Sequence, residues 1–209
     1  MFNIDLLGQW GIFTVIITGI VSYLIGSIPS GLLIGKIFYG KDIRKYGSRN
    51  IGATNAYRIL GLPAAIAVFL CDALKGIVGV WLFHNDITYM VLGGLIAILG
   101  HNCSIFLGFK GGRGVATALG VLIYLAPLIS LICFITWGII VYFTKYVSLG
   151  SVVGAALVPI LMFVFNEPMV VNIFGLVASL FVIYRHKDNI MRLIQGKELK
   201  VERTDKTVE

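Results

Sequence analysis

The sequence predicts an all-α integral membrane protein with seven transmembrane helices, some of them short, the N-terminus outside and the C-terminus cytoplasmic. Three observations lead there. The 209 residues are 58% hydrophobic and 13% charged, with a mean hydropathy of +0.93. A soluble domain of this size has too little polar surface left to cover so much apolar area. The apolar residues fall in runs long enough to cross a bilayer as helices, and the basic residues gather between alternate runs. The same low charge, with only five prolines, excludes a disordered chain.

The first run, Trp10 to Gly35, lacks the basic flank of a signal peptide, since no Lys or Arg precedes Lys36, and is expected to be a span. Leu62 to Phe83 and Thr88 to Phe109 follow. Val115 to Phe143 is a single apolar run of 29 residues. Ser148 to Phe165 and Pro168 to Tyr184 complete the set.

The long run decides the topology. As one helix it makes six spans, and six put the basic loop Lys36–Arg58 and the basic segment beyond Tyr184 on opposite faces. That violates the positive-inside rule. A bend at Pro127 makes it a hairpin and the count seven. Both clusters then face the cytoplasm with Lys110, Arg113 and Lys145, leaving Asp5, Asp86 and Glu167 as the charges outside. At about 1.5 Å per residue, 29 residues reach only ~43 Å, so one or both halves must be short. Residues 1–196 read as a single polytopic domain. Lys197 to Glu209 hold four basic and four acidic groups with no apolar period, and are expected to form a mobile, solvated cytoplasmic tail.

The formal net charge of +7 follows from the cytoplasmic lysines and arginines, so nucleic acid is not an expected partner. Cys71, Cys103 and Cys133 lie apart within apolar runs and are expected to pack in the core, with neither metal-ligand nor disulfide spacing. Asp72 and Lys75 stand three residues apart inside a span, where each demands a partner and mutual neutralisation is the expected outcome. His101 is read as a structural hydrogen-bonder.

Two loops suit anions. GSRNIGATN, Gly47 to Asn55, combines flexible backbone with short polar side chains (Ser48, Asn50, Thr54, Asn55) beside Arg49 and Arg58, a composition that makes anion-binding concavities. In FKGGRG, Phe109 to Gly114, the glycines Gly111 and Gly112 are expected to present free amides at the start of a helix. Lys110 and Arg113 add charge there, Arg113 as a planar fork. YVSLGS and YRHKDN add Ser148, His186 and Asn189 at the same expected face. Alone, each loop also fits a polar turn or topological anchor; together they favour a phosphate-binding surface. The HxxxxD pair of coenzyme-A-dependent glycerolipid acyltransferases is missing, as are a GxSxG elbow, a GxxxxGKS loop and an Asp cluster for Mg²⁺. No metal or cofactor is expected. An anion transporter would call for charges deep in several spans and an internal repeat; only Asp72 and Lys75 meet the first requirement, and nothing meets the second.

At these motifs the sequence resembles the bacterial acyl-phosphate:glycerol-3-phosphate acyltransferases, the PlsY family. The matching pieces are GSIPSG (Gly26 to Gly31), DIRKYGSRNIGATNAYRILG (Asp42 to Gly61), CDALKG (Cys71 to Gly76), GH (Gly100, His101) followed by FLGFKGGRGVATALG (Phe106 to Gly120), YVSLGS and IYRHKDNIMRL. The resemblance covers nearly all of the chain except its extreme N-terminus and tail. It implies an enzyme of the bacterial inner membrane, its active site facing the cytoplasm and needing no obligatory protein partner. The reaction implied is transfer of a fatty acyl group from acyl phosphate to the 1-hydroxyl of sn-glycerol 3-phosphate, giving lysophosphatidic acid and inorganic phosphate. It further implies that Ser48, Asn50, Gly111, Gly112 and Arg113 hold the acyl-phosphate head. Arg58, Ser148, His186 and Asn189 would then hold glycerol 3-phosphate, with Ser48, Arg113 and His186 nearest the chemistry. The sequence departs from the family's usual pattern at Arg49 (usually Gly), Arg113 (usually Lys) and Ser104 (usually Pro). Ser104 is expected to affect helix shape alone.

Overall fold

The computed structural model describes residues 11–202, and all regular structure within them is helical. The chain runs α1 (Ile12–Ser27), α2 (Ser30–Tyr39), α3 (Ala53–Leu60), α4 (Leu62–Trp81) and α5 (Ile87–Asn102). It continues α6 (Val115–Leu125), α7 (Pro127–Thr144), α8 (Val147–Val164), α9 (Met169–Arg185) and α10 (Lys187–Ile194). By length and composition, α4, α7, α8 and the segment Ile87–Leu107 containing α5 can each cross a membrane, and so can the bent pairs α1–α2 and α9–α10. α6 is apolar but has only 11 residues, ~16 Å, about half the hydrocarbon thickness.

The apolar run 115–143 breaks where the sequence says it must. Ala126 leaves helical geometry, and Pro127 takes the first position of α7, where a missing N–H removes nothing. The first apolar run breaks too, which the sequence reading did not anticipate. The structure turns by 45° between α1 and α2 at Ile28–Pro29. A break inside a membrane leaves carbonyls that no lipid can satisfy. Here the Ser104 hydroxyl donates to the Ser27 carbonyl at 2.6 Å, and the Lys75 ammonium donates to that of Ile28. Ser104 therefore does more than shape a helix.

Lys75 also pairs with Asp72 at 2.6 Å, both nearly fully buried, with the His101 ring 3.7 Å from the same carboxylate. The charges neutralise each other as expected, and the cation additionally caps the break.

Helices approach closely where glycines allow it. A Cβ on Gly76 would strike the Thr117 carbonyl, and one on Gly120 that of Ala73, so the backbones of α4 and α6 touch. Buried side chains of α4 to α9 form the main core around Val121, Met162 and Phe174. A second cluster seats the amphipathic α3 on α4 through Ala56, Ile59, Ala64 and Val68. The outer faces carry exposed Phe13, Ile16, Leu70, Ile139 and Phe163, as a lipid-facing surface requires. Cys133 is buried, Cys103 is partly so, and Cys71 is exposed, so the expectation of three core cysteines holds only for Cys133. Cys71 lies on an outward face of α4, between buried positions.

Candidate active site

The loop between α2 and α3 is folded around Asn55, which is buried. The Asn55 side chain accepts from the Ser48 amide at 2.9 Å and donates to the carbonyls of Ile43, Tyr46 and Asn50. Asn55 thus organises the loop, while Ser48 and Asn50 line the cleft beside it. Asn50 itself accepts from the Gly52 amide at 3.0 Å, which fixes the entry to α3. Arg49 is exposed and outside the cleft lining, and its φ of 57° lies in the left-handed region. That conformation explains why glycine suits the position.

The connection from α5 to α6 corrects one expectation. The amides of Gly111 and Gly112 are not free: each donates at 3.0 Å, to the carbonyls of Asn102 and His101. The two glycines tie off the C-terminus of α5, pressed so close that a Cβ on Gly112 would strike the His101 ring. Neither lines the cleft. Their carbonyls in turn accept from the Arg185 guanidinium, at 2.8 Å for Gly112. Arg185, counted in the sequence only as a basic residue, is the clamp of this loop. The cleft is lined instead by Arg113, Gly114, Val115 and Ala116, where the first amides of α6 lack helical acceptors. Lys110 is exposed and apart from the cleft.

The opposite wall comes from α8, α10 and the chain beyond it. Ser148, His186 and Asn189 are all buried there. The His186 ring donates from Nδ1 to the Val182 carbonyl at 2.8 Å, which leaves Nε2 for another partner. Lys197, Leu199, Lys200 and Glu202 are exposed, but the Glu198 side chain turns inward to the cleft. Glu198 accepts from Ser148 at 2.8 Å, Asn189 at 2.5 Å and Arg192 at 2.8 Å. Arg58 donates to the carbonyls of Leu199 at 2.9 Å and Lys200 at 3.1 Å, and the Val201 amide to that of Lys145. Charge complementarity, invisible to a test for apolar period, draws this segment in. The remainder of the expected tail, 203–209, lies outside the described residues.

These walls enclose one cleft of about 450 Å³. Of the nine residues assigned from the sequence, Ser48, Asn50, Arg58, Arg113, Ser148, His186 and Asn189 line it, although they come from segments up to 141 positions apart. Its polar end holds Arg58, Arg113 and Arg192 with Glu198 as the facing carboxylate. Burial pulls the Arg113 guanidinium down to about 10, with Glu198 opposing and the other arginines adding to the fall. Burial likewise lowers Arg58, against the attraction of Glu198. Burial pushes the Glu198 carboxyl up, but the hydrogen bonds from Asn189, Ser148 and Arg192 outweigh it and hold it below its ordinary value. From this end the cleft continues into an apolar channel between α4, α6, α7, α8 and α9, past Ile66, Phe69, Leu119, Phe134 and Trp137. The stacked Phe134 and Trp137 rings, 5.6 Å apart, and Phe69, 6.2 Å from Phe134, line it. Such a cavity suits a molecule with an anionic head and a long apolar tail.

The family model described as glycerol-3-phosphate acyltransferase matches residues 16–196. A glycerol-3-phosphate acyltransferase of Fusobacterium nucleatum is 47% identical over 187 residues, covering 87% of this chain and 95% of that protein. Glycerol-3-phosphate acyltransferase 2 of Bacillus anthracis is 44% identical, covering 89% and 98%. The crystal structure of PlsY (YgiH), an integral membrane glycerol 3-phosphate acyltransferase, in its glycerol 3-phosphate form superposes with a TM-score of 0.83 at 39% identity, covering 89% of this chain and 94% of that one. Its lysophosphatidic acid form gives 0.82. With the motifs, the fold and the cleft in agreement, this chain belongs to the glycerol-3-phosphate acyltransferase family, of the PlsY type.

Proposed function

We propose that the protein acylates the 1-hydroxyl of sn-glycerol 3-phosphate, that its donor is acyl phosphate, and that the products are lysophosphatidic acid and inorganic phosphate. The coarser part, a membrane-embedded glycerol-3-phosphate acyltransferase, rests on the family. The observation that carries the rest is the single cleft, with arginines and short polar donors at one end and an apolar channel at the other. An acyl phosphate has that shape and charge, and glycerol 3-phosphate needs a second anion subsite beside it.

Ser48, Asn50, Arg113 and the first amides of α6 are assigned to the phosphate of the donor, Arg58, Ser148, His186 and Asn189 to that of glycerol 3-phosphate. The glycerol oxygen attacks the acyl carbon and the bond from that carbon to the phosphate oxygen breaks. The departing phosphate takes the hydroxyl proton. Acyl phosphate is already activated, so the work left to the protein is holding two anions together and neutralising their charge. His186 Nε2 is the alternative proton acceptor, since Nδ1 is engaged by Val182. The site opens to the cytoplasm of a bacterial inner membrane, because the loops that build it carry the basic residues.

The purified protein should release phosphate and form lysophosphatidic acid from glycerol 3-phosphate with palmitoyl phosphate. Palmitoyl-CoA and palmitoyl-carrier protein should be inert, and EDTA without effect. Turnover with the thioesters alone overturns the donor assignment. A hundredfold loss in EDTA, restored by Mg²⁺, requires a metal in the mechanism.

A further inference from the structure

Three of the four residues assigned to glycerol 3-phosphate already have donors engaged. Ser148 and Asn189 both donate to one oxygen of Glu198, and Arg192 to the other. Arg58 gives two donors to the backbone of Leu199 and Lys200. Only His186 makes no hydrogen bond to this segment, although its ring lies within electrostatic reach of Glu198. The Glu198 side chain is 4% exposed and faces Arg58 and Arg113 as well. A carboxylate and a phosphate recruit the same charge-assisted donors, and a phosphate entering beside a fixed carboxylate would be repelled by it.

We propose that the segment Glu198–Lys200 is a built-in occupant of the glycerol 3-phosphate subsite, a strap that substrate must displace. The proposal rests on the functional reading above, and deepens it by giving the subsite two states. In the closed state Glu198 offsets part of the arginines' charge, so the empty subsite does not stand as a wholly uncompensated buried cluster. In the open state the phosphate takes over Ser148, Asn189 and Arg58. The strap swings about the end of α10, where Gly196 adopts a left-handed conformation at φ 66°. A closed state that dominates the free enzyme weakens apparent substrate affinity by the fraction of molecules that are open.

The test uses the full-length protein with Glu198→Ala and Glu198→Gln, measuring KM and kcat with palmitoyl phosphate and, separately, the dissociation constant for glycerol 3-phosphate alone by calorimetry. Both variants should bind glycerol 3-phosphate more tightly, with KM lowered roughly tenfold and kcat retained. Weaker binding, or a kcat lowered tenfold at unchanged KM, makes Glu198 a substrate-positioning residue and overturns the strap. A second variant holds the strap down: K145C/V201C, placed where the Val201 amide meets the Lys145 carbonyl at 2.8 Å. Once mass spectrometry shows the disulfide formed, activity should be lost and return on reduction. Full activity of the cross-linked protein overturns the proposal. A wild-type protein that neither binds nor acylates glycerol 3-phosphate overturns the functional reading and this proposal with it, whereas failure of the variants alone leaves that reading standing.

Discussion

Two charged clusters lie in this chain, and they differ in balance. Deep in the helices, Asp72, Lys75 and His101 sit together with charges that cancel and donors that go to a helix break. At the end of the cleft, Arg58, Arg113 and Arg192 face a single carboxylate, and Arg113 has no hydrogen-bond partner among the described residues. Burial is expensive for both. The first recovers it by pairing Asp72 with Lys75, although Asp72 and His101 also line the cleft and His101 Nδ1 has no hydrogen-bond partner among the described residues. The second keeps, beyond what Glu198 offsets, a positive surplus that an added anion can compensate. Surplus, rather than burial, separates a binding site from a structural one.

The sharpest way to break the contrast is Lys75→Met, which strands Asp72 and frees the Ile28 carbonyl. Loss of one partner of a buried pair should lower stability by on the order of 3–5 kcal/mol, read as thermal unfolding in detergent, and Asp72→Asn in the same chain should restore most of it. If Lys75→Met stays stable but inactive, the deep cluster belongs to the chemistry. Arg113→Ala should act the other way round, with the fold intact and turnover down by at least two orders of magnitude, about 3 kcal/mol in the barrier. Arg113→Lys should recover much of that through charge alone. Near-normal turnover of the alanine variant would reduce the α5–α6 loop to a topological anchor. Arg58→Ala should raise KM for glycerol 3-phosphate about tenfold with kcat held, because a contact to a non-reacting phosphate contributes nearly uniform binding. A change in the acyl-phosphate constant alone would mean the two subsites are exchanged. The smallest effect lies outside both clusters. Arg49→Gly should gain about 1 kcal/mol of stability by relieving a left-handed backbone, without altering turnover.

Much of this was legible in the sequence because membrane helices announce themselves by apolar length. The Pro127 break could be read from arithmetic, since 29 residues cannot cross twice at full length. The break at Pro29 could not, because its carbonyls are satisfied by Lys75 and Ser104, 47 and 77 positions away. Seven of the nine residues expected at the site line one cleft, while the amides of Gly111 and Gly112, expected to be free, are bonded. Their composition suggests open amides, but whether a glycine amide is open depends on what packs against it, here the carbonyl end of α5. Glu198 escaped for a related reason. A segment of mixed charge looks solvated until the arginines that receive it are known to converge.

The short α6 has a consequence for biogenesis. Ser48, Asn50 and Arg58 are synthesised before the break at Ala126, Ser148, His186 and Asn189 after it, and the cleft needs both sets on one side. During insertion the machinery meets one apolar stretch of 29 residues, long enough to be threaded as a single crossing. A chain inserted that way would hold the two sets of cleft residues on opposite faces of the bilayer. The break at Ala126–Pro127 is what lets the two sets of cleft residues meet.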